Sequence, residues 1–179
     1  MLKNSHEIGM GVADSKFKVY IANRPTISEY QNLQSVLPVK KGEIQAIGQA
    51  CGNGWRKVFN VYAKLIFALK SEEYAPLFGE SCWQDYRDNY LLQSESKNSL
   101  LFSEPDLTAY QSKSNIVHIV MGKGFANTLN LPKSLKWLDN EFAMDSENNL
   151  FVCPYFDYRQ LSNIKIVRLV ALIEQLISS

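Results

Sequence analysis

Apolar and polar residues first fall into a regular pattern over residues 17–22, where Phe17, Val19 and Ile21 alternate with Lys18, Tyr20 and Ala22. A period of two is that of a β-strand, and Asn23-Arg24-Pro25 ends it because proline lacks the N–H that a strand ladder needs. Thr26 followed three residues later by Glu29 has the form of a capping box, and Tyr30, Leu33 and Leu37 then share one helical face as far as Pro38, which predicts a helix there. Residues 43–51 predict a short helix closed by Gly52-Asn53-Gly54. Beyond it Trp55, Val58, Phe59, Tyr62, Ile66 and Leu69 recur at spacings of three and four, the most regular helical period in the chain. Trp83, Tyr86 and Tyr90 predict another helix with an aromatic face, and residues 94–98 a polar loop. Residues 100–102, 116–121 and 151–153 are apolar runs of strand length, the second continuous enough for a central strand covered on both faces. From Asn163, read as a cap, the series Ile166, Leu169, Val170, Ile173, Leu176 and Ile177 predicts a closing helix.

Strands that alternate with amphipathic helices imply right-handed crossovers, so the expected fold is α/β, a three-layer sandwich with a mainly parallel central sheet of about four strands. Residues 1–15 read as a flexible leader and residues 16–179 as a single α/β domain, with no internal repeat or low-complexity tract.

Composition narrows the classes of function. The 179 residues, 46% of them hydrophobic, suffice for one core. Nineteen basic side chains against eighteen acidic ones, a formal charge of +1, fall short of the strongly basic balance of a dedicated nucleic-acid binder, so any such contact needs a local patch. Residues 1–15 hold no apolar run of signal-peptide length, and Lys57, Lys64, Lys165, Arg168 and Glu174 interrupt the longest apolar stretches. The expectation is a cytoplasmic protein without membrane spans. Cys51, Cys82 and Cys153 are odd in number and widely spaced, which predicts buried thiols in place of a disulfide framework or zinc site.

In open α/β sheets ligands bind beyond the carboxyl ends of the strands, where loops diverge and helix N-termini point free N–H groups into a crevice. Three loops occupy that place: Asn23-Arg24-Pro25, Gly122-Lys123-Gly124, and the run Pro154-Tyr155-Phe156-Asp157-Tyr158-Arg159. Each carries a cation, so parallel neighbouring strands would gather Arg24, Lys123 and Arg159 at one rim, with Asn23, Tyr155 and Asp157 among them. The competing reading is that these are solvated charges, with Arg159 paired to Asp157. Gly122-Lys123-Gly124 lacks the G-x-x-x-x-G-K-[ST] frame of a triphosphate loop, and Gly9-Met10-Gly11 precedes the first strand where a dinucleotide fingerprint would follow it. His118 lies in the central apolar run and reads as a hydrogen-bonded core residue, and no G-x-S-x-G elbow accompanies it. Asp139, Glu141, Asp145 and Glu147 read as exposed loop charges in preference to a cation site, so no metal and no cofactor is expected.

Residues 20–25 and 153–160 resemble those of a small bacterial protein family without an assigned function. The order of elements also resembles the uracil-DNA glycosylase fold: a strand and a Pro-bearing loop, a helix led by Gly54-Trp55, the Leu100-Leu101-Phe102 strand, then Ile119-Val120-Met121-Gly122 leading into a helix. Cys153-Pro154-Tyr155 before the last helix occupies the place of that family's His-Pro-Ser loop. The resemblance implies a crevice able to accept a base or a phosphate, yet the departures fall on the chemistry. Asn23-Arg24-Pro25 supplies no carboxylate to orient water, and the neutral thiol of Cys153 replaces the histidine that stabilises the leaving base.

Three functions follow as expectations. The first is a binding domain for an anionic or nucleotide-like ligand, or a nucleic-acid component, at the carboxyl edge of the sheet. The second is an enzyme acting on a nucleotide, nucleoside or damaged base, with Asp157 as candidate general acid or base. The third is a protein interaction module presenting Trp83, Tyr86, Tyr90 and Trp137.

Overall fold

A computed structural model of the chain describes residues 6–107 and 115–178. In order along the chain it contains β1 (Gly9–Gly11), β2 (Phe17–Tyr20), α1 (Ser28–Gln31), β3 (Val36–Leu37), α2 (Glu43–Cys51), α3 (Asn53–Leu69) and α4 (Trp83–Asn89). There follow β4 (Asn98–Leu101), β5 (Val117–Met121), α5 (Lys123–Asn127), β6 (Lys136–Trp137), β7 (Ala143–Asp145), β8 (Leu150–Cys153) and α6 (Asn163–Ile177).

One sheet runs through the molecule in the order β3-β1-β4-β2-β5-β8-β7-β6. Its centre, β4-β2-β5-β8, is parallel throughout, with Val19 opposite Leu100 on one side and Ile119 on the other, and Ile119 in turn opposite Phe151. These are the apolar runs of the sequence, and every residue in the four strands is buried, as parallel strands covered on both faces require. The whole sheet is larger than the expected four strands, and mixed. β1 runs antiparallel to β4, β7 antiparallel to β8 and β6 antiparallel to β7, adding strands that crossovers do not supply.

Part of the expected leader is therefore built into the sheet. A Cβ on Gly9 would lie 2.2 Å from the Leu100 carbonyl oxygen and one on Gly11 2.4 Å from that of Asn98, so the glycines permit β1 to approach β4 closely. That is the role of Gly9-Met10-Gly11. The helix expected after Thr26 shrinks to α1, whose N-cap is Ile27 without a side-chain cap bond, and Leu37 pairs with Met10 in β3. Strand pairing to a distant segment overrides the local capping signal. Asn163 is the first helical residue of α6, and Ser162 holds the cap position.

The two faces of the sheet are covered unequally. Phe17, Val19, Ile21, Leu100, Ile119 and Phe151 pack under the helices α2, α3, α4 and α6 in the main core. Tyr62 of α3 ties that layer down, donating its hydroxyl to the Ser99 carbonyl at 2.8 Å. Tyr20, Leu101, Val120 and Val152 face the other way, beneath Ala126 and Phe125 of α5 and the loop residues Leu129, Leu131 and Leu135. The third layer of the expected sandwich is thus one short helix and loop segments, because the β5-to-β8 connection spends its length on α5 and the β6–β7 hairpin.

Lys18 and His118, on this thinner side, are buried among polar partners. The Lys18 ammonium lies 3.0 Å from both carboxylate oxygens of Glu7. His118 Nδ1 is 2.8 Å from the Tyr20 hydroxyl, and desolvation, with the Lys18 charge beside it, lowers its pKa to about 3. No helix among the described residues is long and apolar enough to cross a membrane.

Candidate functional site

The order β4-β2-β5-β8 sets the place where a ligand can enter. From β2 the chain crosses to β4 on one side and then returns to β5 on the other, so the loops leaving β2 and β5 part at their carboxyl ends. Beside this divide, between the loop after β5 and the loop after β8, lies a cleft of about 370 Å³.

Each wall follows from its strand. β5 ends at Met121, and Gly122, at φ +98, turns the chain so that Lys123 opens α5 at the rim. The N–H of Gly122 donates to the Cys153 carbonyl at 2.8 Å, which fixes this turn against the end of β8. After β8, Pro154 is buried and forms part of the cleft lining, and Tyr155 lies half-buried beside it. Its hydroxyl donates to Asn23 Oδ1 at 3.2 Å, joining the loops after β2 and β8, and desolvation raises its pKa. Phe156, fully buried, sets its ring edge-on to Tyr62 with centroids 5.7 Å apart and pins the loop to α3. Arg159 and Gln160 then return to the cleft, and Lys165 enters it from the first turn of α6.

Lys123, Arg159 and Lys165 line the cleft together with one carboxylate, Glu141, and the amides of Asn140 and Gln160. Glu141 is 2.7 Å from the Lys165 ammonium, so those two charges offset one another while Lys123 and Arg159 leave the cleft cationic. Lys123 also sits 5.1 Å from the Trp137 ring centroid, and Arg159 5.6 Å from that of Tyr158, contacts that keep each charge near an aromatic face without neutralising it.

Two of the three expected cations therefore converge, and the third does not. Arg24 donates to the carbonyls of Tyr30 and Gln31 at 3.3 and 3.1 Å and lies over Phe102, bracing the end of α1. It lines no part of the cleft. Asn23 joins the site through the hydrogen bond it accepts from Tyr155. Asp157 is outside the lining as well. Its carboxylate accepts the Arg159 backbone N–H at 2.9 Å and lies 3.4 Å from Lys57, and these, the N–H first, hold its pKa below the usual range. It pairs with Lys57 and with the Arg159 main chain, where the sequence suggested the Arg159 side chain.

Lys165, Gln160 and Asn140 escaped the sequence reading. Lys165 sits two residues into a helix whose pattern makes it look like an ordinary surface charge, and Asn140 arrives on the β6–β7 hairpin, whose two- and three-residue strands leave little periodic signal. The acidic cluster disperses into separate tasks. Asp139 pairs with Arg168, Glu141 with Lys165, and Asp145 accepts from Ser134 and Asn148. Of the aromatic row, Tyr86 is fully buried and accepts from Asn98 at 2.9 Å, while Tyr90 stacks on Phe78 at 4.3 Å. Cys153 is fully buried, and desolvation pushes its thiol far above the ordinary range, so it is neutral at the foot of the cleft wall.

No curated protein and no solved structure matches the chain. A family model described as Family of unknown function (DUF6942) matches residues 8–174, which takes in every described strand and nearly all of α6. With that coverage, the chain belongs to this family of unknown function.

Proposed function

We propose that the chain is a binding domain for a small anionic or nucleotide-like ligand, held at the carboxyl edge of the sheet by Lys123, Arg159 and Lys165. The observation that carries this reading is that three cations from three separate elements line one cleft with a single opposing carboxylate. Arg159 offers a planar fork to a carboxylate or phosphate, Lys123 a point charge from the opposite wall, and Asn140 and Gln160 neutral groups for the rest of the ligand. Among the described residues, the cations of the cleft make one ion pair, Lys165 with Glu141, so a single carboxylate opposes an incoming anion.

The scaffold reading that accompanies it is a uracil-DNA glycosylase-like topology, supported by four parallel strands in succession and by Pro154 directly after the last of them. It concerns the crevice and not the reaction, since neither residues 23–25 nor Cys153 provide the family's catalytic groups. An enzymatic reading would rest on Asp157, and its engagement with Lys57 outside the cleft gives it no favouring observation.

Calorimetric titration with inorganic pyrophosphate and with nucleoside monophosphates tests the proposal. Saturable binding that weakens with salt and falls about tenfold or more in Arg159→Gln with Lys123→Gln is expected. Binding that is absent, or equally strong in the double variant, rejects it. A panel of nucleosides incubated with Asp157→Asn and the unaltered protein separates the enzymatic alternative, which requires turnover that the substitution abolishes.

A further inference from the structure

A second cleft, of about 350 Å³, opens on the helical layer between α2, α3 and α4 and shares no lining residue with the one at the sheet edge. Gln45 and Gln49, four residues apart on α2, meet Arg56 and Asn60, four apart on α3, and Arg87 and Asp88 of α4 close the end. An adjoining hollow of about 240 Å³ shares Ile44, Gln45 and Asp88 and adds Lys40, Lys41 and Gln93. The two share one wall, and their linings together hold four cations and one carboxylate, a trough on the helical layer.

Both arginines are held in place. Arg87 forks onto Asp88, with Nε 2.8 Å from Oδ1 and a second nitrogen 3.2 Å from Oδ2, donates to Asn60 at 2.7 Å, and rests over the Trp83 ring. Arg56 lies across α2 at Gly48, where a Cβ would come within 2.6 Å of the Arg56 Cγ. A glycine there leaves the space the arginine stem occupies. The Asp88 fork engages Arg87 within α4 itself.

We propose that these hollows dock an acidic, extended segment of a partner protein, its carboxylates received by Arg56, Lys40 and Lys41, with the Asp88-paired Arg87 closing the end. The amides decide between an acidic peptide and a phosphate chain. Gln45 and Gln49 each carry a donor and an acceptor, while Asn60, its oxygen taken by Arg87, adds a donor and Gln93, its nitrogen engaged by the Asp88 carbonyl, adds an acceptor; the mixture matches a peptide backbone bearing both, whereas a phosphodiester chain offers acceptors alone along its backbone. Two adjoining hollows of about 350 and 240 Å³ suit a segment of several residues, not a single ion.

Fluorescence anisotropy with a labelled acetyl-(Glu-Gly)4-amide peptide and the full chain tests this. Saturable binding is expected, weakened about tenfold by Arg56→Gln and unchanged by Arg159→Gln, which lies in the other cleft. Gln49→Glu, an exposed substitution that puts a like charge in the trough without touching the core, should weaken it as well and guards against a folding defect in the first variant. The proposal is overturned by the absence of saturable binding, by indifference to both trough variants, or by preferential binding of octathymidylate or tripolyphosphate. Loss in Arg159→Gln alone would assign the peptide to the sheet-edge cleft and equally overturn it.

Discussion

Phe156 is the buried anchor of the loop that carries Tyr155, Arg159 and Gln160, and removing its ring should be felt in both stability and binding. Phe156 is fully buried, its ring edge-on to Tyr62 at 5.7 Å and 88°, and Tyr62 is in turn bonded to the Ser99 carbonyl in the sheet. Phe156→Ala removes a whole ring from a site closed by α3, where backbone collapse is resisted by Pro154 on one side and by the bonds from Gln160 and Leu161 N–H to the Asp157 carbonyl on the other. A truncation of this kind costs about 3–5 kcal/mol, transfer and cavity together. For a chain of this size each kcal/mol lowers the melting temperature by about 2–4 °C, so a drop of about 6–20 °C is expected. Scanning calorimetry or circular dichroism measures it directly, and Phe156→Leu, which refills most of the cavity, should recover more than half of the loss. Below the transition, the alanine variant should also bind pyrophosphate more weakly, because the freed loop must be reordered around the ligand. A melting temperature within about 2 °C of the unaltered protein would show that the ring is not what holds the loop, and the reasoning would fail.

Two further outcomes follow from buried groups on the thin side of the sheet and in β1. His118 has a folded pKa near 3 against 6.5 when free, so the unfolded chain takes up the proton first: its contribution is complete above pH 6.5 and is lost as pH falls toward 3, at about 1.4 kcal/mol per pH unit. Urea denaturation at pH 7.5, 6, 5 and 4 should show that slope, and His118→Gln, which retains an acceptor for Tyr20, should flatten it; identical slopes in the two proteins would refute the assignment. Gly9→Ala places a methyl against the Leu100 carbonyl and should destabilise by about 1–3 kcal/mol through disrupted β1–β4 pairing, whereas an unchanged denaturation midpoint would show that β1 adjusts freely.

The parts of the fold legible in the sequence are those that carry their own periodic signal. Residues such as Val58, Tyr62 and Ile66 mark α3 because a long helix buries one stripe, and β5 and β8 announce themselves because strands covered on both faces are apolar throughout. The strands β1, β3, β6 and β7 are two or three residues long, and pairing with partners distant in the chain defines them more than any alternation of their own. Thr26 and Glu29 satisfied a local rule that the edge pairing of Val36 and Leu37 overrode. At the site, parallel strands brought Lys123 and Arg159 together as their loop positions implied. A guanidinium, however, reaches several ångströms from its own backbone, and nothing in Asn23-Arg24-Pro25 indicates that Arg24 turns back onto the carbonyls of Tyr30 and Gln31. Lys165 was hidden for the converse reason: its helix position is that of a surface lysine, and only the approach of the β6–β7 hairpin makes that surface a wall.

The central claim is that an anion settles between the loops after β5 and β8. Amide chemical shifts recorded during a pyrophosphate titration of the uniformly nitrogen-15-labelled chain locate it without prior choice of a variant. The account predicts saturable shifts centred on Gly122, Lys123, Tyr155, Arg159 and Gln160, with the amides around Arg24 and Gln31 left in place. Shifts confined to the trough around Gln49, Arg56 and Arg87, or scattered over the surface without saturation, would contradict it.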